Sequence, residues 1–378
     1  MNPVRNFNFF GKGNDISNGM KKIVIVAGDK SGDLYGGLLS KTIKEKFPST
    51  QIYSFGGPVL AKYSQQQINL LSHSVCGLVE VLSSLKDLLT IFKKTKESIQ
   101  KIKPDLVVLI DFPDFNLRLA SELNKQFPLF YYVSPQIWAW RKKRINLIKK
   151  YVDKMTVIFK FEQEFYKKEG VEALYFGHPL LEVIKKLNLE PKKIISLLPG
   201  SRKSEVKKNL PVMLKAKEII QKQLPDYTFR IIKPENLESQ FYDKFSSGIE
   251  VVEHSYERIE ESKFIIASSG TATVEIAILE VPYLIIYKVN PLTWHILKRL
   301  VDTEFIGMVN LLAKKKVVDE LLQTQANPQN IAAKVLDYLK DNEKYSKLKT
   351  ALKSTKGILS PQGATNKFAD YIGEYLNL

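Results

Sequence analysis

The 378-residue chain contains a single cysteine, Cys76, so it cannot form an intramolecular disulfide. This scarcity is typical of proteins in a reducing compartment, and we expect a cytoplasmic location. The four histidines lie far apart in the sequence, without the spacing of metal ligands: His73, His178, His254 and His295. Because metal centres in proteins need clustered ligands, the sequence predicts no metal site and no cofactor.

The chain also lacks an apolar stretch long enough to span a membrane. Its most apolar region, Phe264–Tyr287, is interrupted by Glu275, Glu280 and Pro282. The start of the chain has no apolar segment of the kind found in signal peptides. Residues 1–20 are polar and rich in glycine, and we expect them to form a disordered N-terminal extension.

Positive charge is in excess. Lysine and arginine total 57 against 40 acidic residues, a net charge of +17. Such an excess favours anionic partners: nucleic acid, phosphorylated substrates or an acidic membrane surface. Trp138 and Trp140 lie beside basic residues, which makes a nucleic-acid-binding protein one alternative. No recognised nucleic-acid motif accompanies them, so we expect no nucleic-acid partner.

Strands alternate with helical stretches throughout, as in doubly wound α/β domains. We predict two Rossmann-like domains facing a cleft, residues 21–185 and 186–345. Helices in residues 346–378 are expected to cross back to the first domain or to a partner subunit. The predicted strands of the first half are Lys22–Ala27, Gln51–Phe55, Asp105–Ile110, Leu129–Val133 and Lys154–Ile158. Those of the second half are Lys193–Leu198, Thr228–Ile232, Glu250–Val252, Phe264–Ala267 and Tyr283–Tyr287.

One aspartate stands at the end of a predicted buried strand. Asp111 directly follows the apolar run Leu106–Ile110. Open parallel sheets bind their ligands beyond the carboxyl ends of the strands, so Asp111 is our candidate for a general base. Asp114 directly precedes a helical stretch that starts at Phe115, and we interpret it as the helix N-cap.

The strand-to-helix loops of the two halves differ in chemistry. The first loop, Gly28–Asp33, carries two carboxylates and lacks the dinucleotide glycine spacing, which suits sugar hydroxyls better than phosphate. In the second half, Leu198–Ser204 and Ser268–Thr273 lead into helices whose N–H groups can hold an anion. Glu275, about one helical turn further on, is within reach of ribose hydroxyls. Each loop alone also fits an ordinary strand–helix connection, but together they favour a nucleotide-linked donor in the second half and an acceptor hydroxyl in the first.

The stretches that carry these features resemble the lipid-A-disaccharide synthase family of GT-B glycosyltransferases. They are Ala27–Asp33, Gly77–Leu82, Ile110–Asn116, Tyr132–Arg141, Gly177–Pro179, Leu197–Glu205, Ser269–Glu275 and Asn310–Ala313. The resemblance implies an inverting transfer of diacylglucosamine from UDP-2,3-diacylglucosamine to the 6-hydroxyl of 2,3-diacylglucosamine 1-phosphate. The products are a β-1,6-linked disaccharide phosphate and UDP.

This resemblance implies a set of site residues, with Asp111 as the base. The donor contacts are Gly200, Ser201, Arg202, Ser269, Gly270, Thr271, Ala272, Glu275 and Asn310. The acceptor-side contacts are Asp29, Ser31, Gly32, Asp33, Ser134, Trp138 and Arg141. The chain departs from the family pattern where Asp29 replaces a usual Glu, Cys76 a usual Met and Val309 a usual Pro. An alternative is another GT-B enzyme that uses UDP-N-acetylglucosamine, a cell-wall transferase or an epimerase.

An apolar stripe recurs at helical spacing in the first half and is followed by lysines. Its residues are Val79, Val81, Leu82, Leu85, Leu88 and Leu89. Periodicity alone favours a core helix, but acylated substrates need an entry surface, and basic flanks are typical of interfacial helices. We therefore predict that the stripe faces a membrane. The expected partners are the acylated UDP-sugar, the acylated sugar phosphate and the anionic inner-membrane surface, and a homodimer is left open.

Overall fold

The computed structural model describes residues 20–73, 81–138, 141–245, 248–290, 294 and 304–378, and for residues 73 and 81–86 the backbone alone. Within these ranges the chain forms two parallel β-sheets with helices between successive strands. The predicted α/β class is confirmed. The predicted N-terminal extension lies outside the described residues, except for Met20.

The first sheet is built from the amino-terminal half. Its elements are β1 (Lys22–Ala27), α1 (Lys30–Lys46), β2 (Gln51–Gly56), α2 (Pro58–Ala61), β3 (Gln65–Asn69), α3 (Val81–Ile102), β4 (Leu106–Ile110), α4 (Pro113–Leu123), β5 (Leu129–Tyr132), α5 (Ile145–Tyr151), β6 (Lys154–Val157), α6 (Lys160–Lys168), β7 (Ala173–Tyr175) and α7 (Leu180–Val183). Short 3-10 turns lie at Leu71–His73 and Lys142–Arg144. Every residue of β4 is buried, as expected for a central parallel strand covered by helices on both faces.

The second sheet is built from the carboxyl-terminal half. Its elements are β8 (Lys192–Leu198), α8 (Lys203–Gln223), β9 (Thr228–Lys233), α9 (Gln240–Asp243), β10 (Glu250–Glu253), α10 (Tyr256–Glu260), β11 (Ser262–Ser268), α11 (Ala272–Ile278), β12 (Tyr283–Tyr287), α12 (Met308–Ala313), β13 (Glu320–Leu322), α13 (Pro328–Lys340), α14 (Asn342–Ile358) and α15 (Ala364–Leu376).

Both sheets follow the same strand order. The first reads β3-β2-β1-β4-β5-β6-β7 and the second β10-β9-β8-β11-β12-β13. In each sheet the chain runs outward from its first strand and then returns to continue on the other side. The order therefore reverses between β1 and β4 and between β8 and β11, and open α/β sheets bind ligands in the crevice at such points.

Every strand predicted from the sequence is present, with ends that differ by at most two residues. Three further strands, β3, β7 and β13, were not predicted. All three lie at the edge of a sheet. β3 is polar, with the sequence Gln65–Asn69 and mostly exposed side chains, and the other two are three residues long. An edge strand is half solvated, so it needs no apolar run that would reveal it in the sequence.

The last helix, α15, packs on the first half of the molecule. Phe368 stacks on Tyr132 with ring centroids 4.4 Å apart, and Asp370 pairs with Lys46 at 2.5 Å. The chain thus passes between the halves near Gly177 and again before α15. The two passages touch: Gly177 has a φ of 113°, and a Cβ there would lie 1.8 Å from the Pro361 carbonyl oxygen, so only glycine fits.

Candidate functional site

The strand register brings the predicted site loops together in pairs. In the first sheet Ala27 pairs with Ile110, so Gly28 and Asp111 leave the sheet side by side. In the second sheet Ala267 pairs with Leu198, so the loops that follow β8 and β11 also emerge together. Each pair of loops lies at the point where the strand order of its sheet reverses.

Asp111 lies in a turn of unusual backbone conformation. Asp111 and Phe112 have φ angles of 42° and 46°, which residues other than glycine rarely adopt. Two side chains hold this turn: Tyr131 Oη donates to the Asp111 carbonyl oxygen at 2.5 Å, and Asn116 Nδ2 donates to it at 2.8 Å. Such a conformation persists only where its surroundings enforce it. No sequence pattern predicted these roles of Tyr131 and Asn116.

Gly28 leaves room for this turn. A Cβ at Gly28 would lie 2.1 Å from Cδ1 of Phe112, so no side chain is tolerated there while the ring keeps its position. The glycine of the first loop thus serves the close approach of the β1 and β4 loops.

The carboxyl groups of Asp29 and Asp111 lie close enough to affect each other's ionisation. Asp29 is also the N-cap of α1 and accepts the Gly32 N–H at 2.6 Å. Burial raises the pKa of Asp29, and burial together with the charge of Asp29 raises the pKa of Asp111 well above its usual range. Two close carboxylates cannot both ionise easily, so the pair retains a proton to higher pH and its conjugate base is stronger than an ordinary aspartate.

Other predicted acceptor-side residues bond to a carboxylate that the sequence analysis missed. Ser134 Oγ and Trp138 Nε1 donate to Oε1 of Glu162 at 2.8 and 3.0 Å. Glu162 follows β6 at the same edge of the sheet as Asp111, and this position after a strand was the available signal. Ser31, half-buried, lies in the first turn of α1.

The Asp33 side chain binds the backbone of the segment that follows β2. Its side chain is buried and accepts the N–H groups of Gly57, Val59 and Leu60 at 2.7, 3.0 and 3.1 Å. These bonds fix the start of α2. Asp33 thus has a structural role in this loop, and its contact with sugar hydroxyls stays a prediction.

Asp114 is not the N-cap of its helix. The helix α4 begins at Pro113, the N-cap position belongs to Phe112, and Asp114 lies in the first turn. Its carboxylate pairs instead with Arg141 at 2.6 Å and with Arg144. The sequence interpretation was wrong because it started the helix two residues late. These ion pairs attach the basic segment Arg141–Arg144 to the turn that carries Asp111.

The β8–α8 loop binds a carboxylate of its own helix. Glu205 accepts the N–H groups of Ser201 and Arg202 at 2.9 and 3.3 Å. The backbone of this predicted anion site is thus already engaged, and Gly200 lies against Glu205. The Arg202 side chain is 79% exposed, and its charge acts to lower the pKa of Asp29 in the first half. The guanidinium therefore lies within electrostatic range of the carboxyl pair.

The β11–α11 loop is open. Gly270 and Thr271 are exposed, and a Cβ at Gly270 would meet nothing within 4 Å. One turn further, Glu275 faces Nε2 of His254 at 2.9 Å. His254 follows β10 at the same edge of the sheet and was not predicted as a site residue.

Asn310 is buried, and its amide group is fully used inside the second half. Its Nδ2 donates to the Val318 carbonyl and to Glu320, and its Oδ1 accepts the N–H groups of Val317 and Val318, at 2.7–2.9 Å. These bonds hold the α12–β13 connection, and the donor contact expected of Asn310 stays a prediction.

The halves also meet directly at the cleft. Lys30, at the start of α1, pairs with Glu235 of the second half at 3.0 Å. Tyr35 is buried, and the charges of Glu275, Asp29 and Asp111 add to burial in raising its pKa. The acceptor-side and donor-side loops thus share one electrostatic environment.

Part of the predicted membrane-facing stripe cannot be placed. Val79 lies outside the described residues, as do the side chains of Val81, Leu82 and Leu85. Leu88 and Leu89 are 43% and 50% exposed, whereas Ile91 and Phe92 are buried. Across the described ranges, no helix is long and apolar enough to cross a bilayer.

Potential metal ligands do not cluster among the described residues: no group of three or more His, Cys, Asp or Glu side chains could hold an ion there.

Comparison with known proteins decides the family. The lipid-A-disaccharide synthetase family profile matches residues 23–371. This chain belongs to that family. The lipid-A-disaccharide synthase of Syntrophus aciditrophicus is 37% identical over 368 residues, 92% of this chain and 96% of the relative. The synthase of Coxiella burnetii is 40% identical over 337 residues, covering 85% and 90%.

Solved structures share the fold of this synthetase family member. A structure of S. aureus MnaA with UDP has a TM-score of 0.68 at 15% identity, covering 95% of this chain and 98% of the other. A UDP-GlcNAc 2-epimerase from Neisseria meningitidis, bound to UDP-GlcNAc, has a TM-score of 0.63 at 13% identity, covering 94% and 99%. At this identity the likeness concerns the fold alone, and it confirms the predicted GT-B architecture of two Rossmann-like domains.

Proposed function

We propose that this chain is the inverting glycosyltransferase that joins UDP-2,3-diacylglucosamine to 2,3-diacylglucosamine 1-phosphate. The products are the β-1,6-linked disaccharide 1-phosphate of lipid A biosynthesis and UDP. Family membership over nearly the whole chain supports the reaction. The observation that carries it is the Asp29–Asp111 carboxyl pair, raised in pKa, at the crevice where the strand order of the first sheet reverses.

In the proposed mechanism Asp111 takes the proton of the acceptor 6-hydroxyl while the hydroxyl oxygen bonds to C1 of the donor sugar. The bond from C1 to the diphosphate oxygen breaks in the same step, so the configuration inverts. One base suffices for such a displacement. The leaving diphosphate gains charge, and the exposed Arg202 guanidinium and the open loop at Gly270 and Thr271 are the groups proposed to stabilise it.

The remaining site residues are divided between the donor side and the acceptor side. Ser269, Ala272 and Glu275 are proposed to complete the donor site, with Glu275 binding ribose hydroxyls. Asp29, Ser31 and the segment from Ser134 to Trp138 are proposed to line the acceptor side. Arg141 is proposed to attract the acceptor phosphate, because Asp114 holds it beside the turn that carries Asp111.

The direct test compares donors. Purified protein is given the acylated acceptor with either UDP-2,3-diacylglucosamine or plain UDP-N-acetylglucosamine, and the products are identified by mass spectrometry. We expect disaccharide phosphate and UDP from the acylated donor only. Turnover of the plain donor without an acylated partner would instead support the alternative of an epimerase or a cell-wall transferase.

Leu88 and Leu89 provide a test of membrane docking. They lie on α3 beside Lys93 and Lys94, an arrangement that favours binding to an anionic bilayer. We expect the double variant Leu88→Ser, Leu89→Ser to keep its melting temperature and to sediment less with anionic liposomes, because exposed leucines contribute little to the core. Leu187→Ser, at a leucine 54% exposed in the other half, is the control. Equal sedimentation of the double variant and the control would contradict the docking surface.

Metal independence is a further proposal. If cationic and N–H groups alone stabilise the diphosphate, a chelator should leave the transfer rate unchanged. The measurement is the initial rate with and without the chelator, followed by addition of magnesium. Activity that is lost in chelator and restored by magnesium would contradict the proposed stabilisation of the diphosphate.

A further inference from the structure

One buried carboxylate beside the site has no part in the mechanism above. Glu162, the third residue of α6, is 0% exposed. Its Oε2 accepts the N–H of Phe159, the residue before the helix, at 3.1 Å. That bond is an ordinary helix cap, and a cap is normally made at the surface.

The other oxygen of Glu162 binds a different segment. Oε1 accepts both the Ser134 hydroxyl and the Trp138 indole N–H, which belong to the connection after β5. Helix capping does not require these two bonds. They fasten the proposed acceptor segment to α6, and the Trp138 ring packs edge-on against Phe161 with centroids 4.9 Å apart.

Glu162 is also electrostatically linked to the reacting carboxyl. Burial raises the pKa of Glu162 to about 7, against the opposing effect of the groups that donate hydrogen bonds to it. Its charge in turn raises the pKa of Asp111. The titratable groups that face the two carboxylates from the surrounding elements are Asp29, Tyr35, Tyr131, Tyr166 and Tyr175.

We propose that Glu162 is a positioning residue for the transfer reaction: its hydrogen bonds hold Ser134 and Trp138 at the acceptor side, and its carboxylate places a negative charge near the reacting carboxyl pair. The proposal deepens the proposed function and rests on it. A purely structural carboxylate would stabilise the fold without affecting the ionisation of Asp111.

The test is the pH profile of Glu162→Gln. The amide keeps the shape of the side chain but removes the charge and one acceptor oxygen. We expect the acid limb of kcat/KM to move to lower pH by about half a unit or more, since a like charge near the base is lost. We also expect KM for the acceptor to rise about tenfold and KM for the donor to stay within about twofold, because only the acceptor segment is released.

Glu260→Gln is the matched control. Glu260 is likewise buried and accepts the N–H groups of Leu187 and Leu189 at 2.7 and 3.2 Å, but in the second half. Its variant should leave the acid limb in place. An acid limb that shifts equally in Glu260→Gln, or that stays in place in a folded Glu162→Gln, would overturn the proposal.

Trp138→Phe is the second variant for the pH profile, to be used if Glu162→Gln fails to fold. It retains an aromatic ring against Phe161 and removes one donor to Glu162, which then ionises less readily. The acid limb should move in the same direction by a smaller amount. An unchanged limb in this variant would also overturn the proposal.

A stability measurement separates this proposal from the proposed function. The pKa of Glu162 is about 7 in the fold against an ordinary 4.5, so the native state holds a proton that the unfolded chain releases. The free energy of unfolding of the wild type should therefore fall, relative to that of Glu162→Gln, as pH rises through this window. A difference that does not change with pH would overturn the ionisation of Glu162, whereas a wild type without transferase activity would overturn the proposed function alone.

Discussion

We expect Asp111→Asn to lower turnover by about a hundredfold or more, because the amide cannot take the proton of the acceptor hydroxyl. The substitution is nearly isosteric, and the turn is held through the backbone carbonyl of Asp111 by Tyr131 and Asn116, so the fold should persist. Binding of UDP, proposed to lie in the other half, should be unchanged. The measurements are single-turnover rates, UDP affinity by calorimetry and thermal unfolding.

Asp105→Asn is the control for this variant. Asp105 lies just before β4, at the opposite end of the strand from Asp111, and accepts the Lys22 N–H at 2.8 Å. Its replacement should cost some stability and leave turnover close to that of the wild type. Near-wild-type turnover of Asp111→Asn would reject its role as the base, and loss of UDP binding would point to a disturbed fold instead.

Arg202→Ala has the second-largest expected effect. Removing a charged contact to the leaving diphosphate should cost about 2–4 kcal/mol of transition-state stabilisation, measured as kcat/KM for the donor. The side chain is 79% exposed and its pairing with Glu205 is long, 3.4 Å, so its loss should hardly affect the melting temperature.

Two control variants are compared with Arg202→Ala. Lys208→Ala removes the same unit of charge from another exposed position on α8 and should leave kcat/KM within about twofold, since an exposed charge that does not contact the diphosphate is largely screened. Arg202→Lys keeps the charge without the bidentate geometry and should fall between Arg202→Ala and the wild type. A kcat/KM for Arg202→Ala equal to that of Lys208→Ala would reject the contact of Arg202 with the diphosphate. Arg202 would then have only a structural role at the start of α8.

The residues that follow the strands show how much of the candidate site can be predicted from the sequence. Asp111 was predicted at a ligand-binding edge because a continuous apolar run that ends at a turn is typical of a buried parallel strand. The same logic should have drawn attention to Glu162 and His254, which also follow strands. Both strands were predicted, but neither is a continuous apolar run like β4, and the polar residues after them were therefore not considered as site residues.

The roles of individual polar residues could not be predicted in this way. Asp33 and Asn310 lie in loops of the expected kind, yet their side chains are saturated by neighbouring backbone groups. Glu205 engages the N–H groups of a loop that the sequence pattern assigned to an anion. Composition and spacing alone cannot tell a polar group that faces the cleft from one that supports it.

The sequence by itself determined the two α/β halves, the chemistry of their loops and the position of Asp111, because alternation of apolar strands with helices is a local property. Only the tertiary structure decided that Asp29 and Asp111 lie close enough to affect each other's ionisation, that Glu162 binds both Ser134 and Trp138, and that α15 returns to the first sheet. These features join segments far apart in the chain. Their hydrogen bonds and pKa shifts depend on distances and burial, which the order of residues does not specify.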